Sequence, residues 1–120
     1  MAIPSGSGTE VIKRAYIDAA GESEATILTG VANHIMTVIS IIVCENANLA
    51  DSQFDMYVDY NLGGTDLYLL RNQVVGSKET FVWSDRLAIT GTDKLHIQGN
   101  SVAGTSVFDV WCTYIDQDWS

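Results

Sequence analysis

Cations are scarce in this 120-residue chain: six Lys and Arg stand against fifteen Asp and Glu, for a net charge of −9. A nucleic-acid binder needs a Lys/Arg surface to replace condensed counterions, and Lys13 with Arg14 is the single adjacent pair, so no nucleic-acid partner is expected. The same deficit opposes docking on an anionic membrane. Long hydrophobic runs are missing as well. The longest apolar stretch, residues 31–44, is too short to cross a bilayer and is broken by Asn33, His34, Thr37 and Ser40. The start, MAIPSGSG, lacks the cationic and apolar regions of a secretory signal, which points to a chain made and kept in a cytosol.

The side chains of catalysis are equally sparse. His34 and His96 are the two histidines, each in a strand pattern with no acid or Cys at ligand spacing, and both read as surface or interface residues rather than ligands or bases. Cys44 and Cys112 lie far apart inside apolar patterns and read as buried free thiols, with a disulfide between them as the lesser alternative. Neither has zinc-site spacing. No Gly-x-Ser-x-Gly, phosphate-binding Gly loop or His-Glu-x-x-His occurs, so no catalytic residue, metal or cofactor is expected. Asp55 and Asp59 share one strand face, a pairing that glycosidases and calcium sites can use, but no third ligand accompanies them. Trp83, Trp111 and Trp119 could form a sugar-stacking platform, yet their spacing puts them on no common surface, which favours core and interface roles.

What is present is the signature of a β domain. Residues are 47% hydrophobic and 18% charged, a globular composition at one-domain length. Period-two alternation recurs between Gly, Asn, Asp and Ser clusters, and no stretch holds a helical period. Strands are expected at residues 11–17, 25–29, 33–45, 53–60 and 65–70, then around Val74, 81–83, 87–89, 94–98 and 106–116. In 53–60, Phe54, Met56, Val58 and Tyr60 form the core face, and Gln53, Asp55, Tyr57 and Asp59 the wet one. Short strands at this spacing, with one Pro at position 4, predict an antiparallel β-sandwich or jelly roll. An N-terminal arm with the first strand (residues 1–23) precedes the sandwich (24–120).

Two strands are apolar on both faces. Ile35, Ile39, Ile41 and Val43 oppose Met36, Val38, Ile42 and Cys44, and Phe108, Val110, Cys112 and Tyr114 oppose Val107, Trp111 and Ile115. A sandwich strand normally shows one face to water, so the second face is covered either by the chain itself or by another subunit. Val107, Trp111, Ile115, Ile35 and Ile39 are the candidate contacts. Ile3, Pro4 and Val11 are candidate anchors on the arm.

The segments TVISIIVCEN (37–46), FDMYVDY (54–60), GTDLYLLRN (64–72), KETFVW (78–83) and TGTDKLHIQGNSVAGTSVFDVWCTYID (90–116) resemble a family of small virion proteins of tailed bacteriophages. The start IPSGSGTEVIKR and the end TYIDQDW resemble marine-phage structural proteins. The resemblance implies a repeated particle component without an active site: a decoration or cement protein on the major capsid protein, homotrimeric at shell threefolds and assembled in the host cytoplasm. A glycan-binding component of tail, neck or fibre is the alternative.

Overall fold

The computed structural model describes residues 9–47, 52–60, 65–101 and 104–119. These form nine strands: β1 (Thr9–Ala20), β2 (Ala25–Thr29), β3 (His34–Glu45), β4 (Ser52–Asp59), β5 (Asp66–Val75), β6 (Thr80–Trp83), β7 (Leu87–Thr90), β8 (Lys94–Gly99) and β9 (Phe108–Asp118). One sheet has the order β1-β9-β3-β6, with β7 also on β3, and the other the order β2-β8-β4-β5. All pairings are antiparallel. The chain thus crosses repeatedly between two sheets in the nested order of a jelly roll, the expected fold class. Ile3 and Pro4 lie outside the described residues, whereas Val11 stands within β1, opposite Asp116.

Alternation explains the core. Phe54, Met56 and Val58 from β4, Leu95 and Ile97 from β8, and Phe108 and Val110 from β9 are all buried between the sheets. Phe54 meets Phe108 edge to face at 5.3 Å and Phe81 at 5.7 Å, contacts worth about 0.5–1.5 kcal/mol each beyond their area. Gly30 is required by close approach. A Cβ there would meet the Gly91 carbonyl at 2.5 Å, on the turn whose Asp93 carbonyl accepts the Gly30 N–H.

Bulges correct several expectations. On β3, Val38 lies opposite Tyr114 and Ser40 opposite Thr113, so Ile39 is an extra residue that reverses the alternation. Met36 and Val38 face the core before it, Ile41 and Val43 after it, and the expected face Ile35–Ile39–Ile41–Val43 is therefore split. On β5, Asn72 takes φ 53° and the strand continues to Val75 instead of ending at residue 70. Tyr60, assigned to the core face, is exposed just past β4. Tyr57, assigned to the wet face, is buried there by Tyr68 and His96, whose rings lie 5.1 and 5.4 Å away.

Glu45 ends β3 fully buried. Its Oε1 accepts from the Ala47 N–H at 2.5 Å and its Oε2 from the Lys78 N–H at 2.9 Å, so one carboxylate holds two connections whose amides would otherwise lack partners. Replacing Glu45 by Ala should cost about 2–3 kcal/mol, and Glu45→Gln, which keeps one oxygen, should cost less. Urea unfolding of the three proteins measures both differences.

Candidate docking face

The outer face of the first sheet is built around β9, which β1 and β3 flank along nearly its whole length. Its even-numbered residues enter the core, and Asp109, Trp111, Thr113 and Ile115 point outward. Register then aligns apolar side chains across the sheet. Tyr16 lies opposite Trp111, Trp111 opposite Ile42, and Ile42 opposite Val82. These four are 65%, 40%, 38% and 54% exposed, and Ile12, opposite Ile115, is 72% exposed. The result is one apolar row spanning four strands, open to solvent.

Polar groups frame this row. The Tyr16 and Trp111 rings stack at 5.9 Å with an interplanar angle of 19°, and the Arg14 guanidinium lies 5.0 Å from the Trp111 ring centre, a cation–π contact. A shallow depression of about 340 Å³ is lined by Tyr16, Asp18, Ile42, Cys44, Asp109 and Trp111, among others. Asp109 accepts from the Ala19 N–H at 3.0 Å and the Asn46 side-chain amide at 3.2 Å, fixing the bulge that ends β1. Flat, apolar and wide, the surface suits contact with another protein face.

The structure brings some of the candidate contacts together. Trp111, Ile115 and Ile35 share this outer face. Ile39 occupies the β3 bulge, half-buried, and Val107 precedes β9, its carbonyl accepting the Asn46 N–H. Ile12, Tyr16 and Val82 were not singled out from sequence, and Ile42 was named only as part of one apolar face of its strand. The even-numbered apolar residues of β1 were the available signal, since Ile12 and Tyr16 alternate with the inward Ala15 and Ile17.

Neither histidine stands alone. His34 Nδ1 lies 2.8 Å from Asp116 Oδ1, and Lys13 Nζ donates to Asp116 Oδ2 at 2.8 Å. His96 is buried on the outer face of the second sheet, 3.0 Å from Thr26 Oγ1 and 3.7 Å from Glu24, which also accepts from the Tyr57 hydroxyl. Burial and the Glu24 bond together hold Tyr57 well above the usual phenol range. Among the described residues, no group of three or more His, Cys, Asp or Glu could hold a metal. Both cysteines are free: Cys112 is in the core, where burial pushes its thiol up to about 12, and Cys44 is half-buried on the outer face.

No protein-family model matches the chain, and no curated protein matches it. Solved structures do. A protein of Bacillus endospore appendages, described as forming a novel family of disulfide-linked pili, superposes with a TM-score of 0.53 at 16% identity, covering 100% of this chain and 97% of that one. The VP2 subviral particle of infectious bursal disease virus gives 0.62 at 9% identity over 95% of this chain, and a D431N VP2 forming T=1 particles gives 0.58 at 10% over 91%. The chain spans about a third of VP2, 33% and 32% respectively. At these identities the likeness is one of fold.

Two outcomes follow from these groups. Burial pushes the Asp116 carboxyl up, but the hydrogen bonds and charges of Lys13 and His34 outweigh it and hold the group below the usual carboxylate range. A depressed carboxylate contributes stability above its unfolded value of about 4, and that contribution is lost as pH falls through the folded value. Asp116→Asn should therefore be less stable than the parent at pH 7, with the gap closing in acid; urea midpoints across pH test this. A thiol reagent should modify Cys44 in the native protein and reach Cys112 only after unfolding, which mass spectrometry reads directly.

Proposed function

We propose that the chain is a non-enzymatic building block of a virus particle, a decoration protein on the capsid of a tailed bacteriophage, assembled through the outer face of its first sheet. The observation that carries this is the exposed row Tyr16–Trp111–Ile42–Val82, which leaves a central sheet without cover in the isolated chain. The neighbours support the reading, since the same fold occurs in pili and in viral particles, both repetitive assemblies. So does the resemblance of the strand segments to small virion proteins. The coat protein is the expected partner, and the particle the expected location. The stacked Tyr16–Trp111 pair beside Asp18 is what favours the second reading, a glycan-binding tail component. The row, however, runs on into Ile42 and Val82, which a sugar platform does not need.

Charge is a poor candidate for the holding force. Exposed ion pairs contribute under about 1 kcal/mol and weaken with salt, whereas apolar burial at about 25 cal/mol per Å² gives several kcal/mol from a few hundred Å². With undecorated capsids, Trp111→Ala should reduce bound copies strongly at low and high salt alike, and Asp55→Ala or Asp59→Ala should change them little. Binding that collapses in salt while Trp111→Ala binds normally would overturn the proposal, and glycan-array binding lost in Trp111→Ala would favour the second reading.

A further inference from the structure

We infer that the occupant of this face is a second copy of the chain, packed sheet on sheet about a twofold axis along the row Tyr16–Trp111–Ile42–Val82. The inference rests on the reading of this face as a docking surface and names its partner.

Size is the first argument. Four strands at about 4.8 Å spacing, by a strand of about 40 Å, present a face on the order of 750 Å², close to the roughly 800 Å² that each partner gives to a standard interface. The face is also self-complementary in its chemistry, as a twofold contact requires. Its apolar row would meet itself, ring and aliphatic side chains against their own copies.

Charge then selects the axis. Arg14 lies two residues before Tyr16 on β1, and Asp18 two residues after it on the same exposed side, lining the depression with Tyr16. A dyad along the row reverses strand direction in the second copy and so brings Arg14 of each chain against Asp18 of the other. A dyad along β9 would instead set β1 over β3, where the register puts Ser40 across from Arg14. Within one chain, ion pairs among the described residues include those of Lys13, His34 and His96, and Arg14 takes part in none of these. Covering Trp111 would desolvate the guanidinium stacked on it, and the partner's Asp18 supplies the counter-charge that makes such burial tolerable.

Sedimentation equilibrium tests this on the full chain. The parent should form a dimer; Arg14→Asp and Asp18→Arg should each weaken it by about tenfold or more, and the double swap should restore it, a rescue that a misfolded variant cannot give. Cys44, in the same depression, should react more slowly with a thiol reagent as protein concentration rises. A monomer at every concentration, a trimer, or a dimer indifferent to both swaps would overturn the inference. If the chain is monomeric and Trp111→Ala still loses capsid binding, the dimer fails and the docking proposal stands. If the swap-rescued dimer forms and capsids bind none of it, the dimer stands and decoration fails.

Discussion

The structure depends on the register of β9. Because β1 and β3 both hydrogen-bond to this strand along nearly its whole length, a slip of one residue would move Asp109, Trp111 and Thr113 into the core and expel Phe108, Val110 and Cys112. Asp116 fixes that register from the far end. Its buried carboxylate is tied to Lys13 on β1 and His34 on β3, so both neighbours are locked to β9 by one side chain. The exposed apolar row is the other consequence of the same register, since it is β9 that aligns Tyr16 and Ile42 on either side of Trp111.

Period-two alternation made the strands legible, and β2 and β6 lie close to where the pattern put them. Faces were legible only where alternation is unbroken, as on β9. At Ile39 one extra residue reverses the face of everything after it, and whether a strand bulges is decided by its partner's register, not by its own pattern. Pairing across long separations was also hidden. His34 and Asp116 are 82 positions apart, and no spacing rule connects them. Tyr57 looked wet because its neighbours in sequence are polar; its neighbours in space are Tyr68 and His96, on two other strands.

Bulges also bear on why the proposed association uses a face rather than an edge. An unprotected edge strand is a template for pairing, and each edge here is interrupted. β1 breaks register between Ile17 and Ala20, with Ala19 at φ 61°. β2 has five residues and a register shift of its own. β5 kinks at Asn72, and the last edge of the first sheet is split into β6 and β7, four residues each. These interruptions shorten the edges available for pairing, although Thr9–Ile17 of β1 keeps an unbroken register, while the outer face of the first sheet carries the exposed apolar row.

The acidity of the chain completes this division of labour. With fifteen carboxylates and six cations, two copies approaching at random repel one another, which keeps an exposed apolar row from driving indiscriminate aggregation. Repulsion weakens as salt rises, and at about half-molar ionic strength it reaches only a few Å from the surface. Selectivity must then come from the face itself. In the proposed dimer, a row of side chains in fixed register, with Arg14 on one side of it and Asp18 on the other, would retain that selectivity at short range, because a facing copy has to match apolar to apolar and cation to anion. Charge over the whole surface governs approach, and the β9 register governs fit.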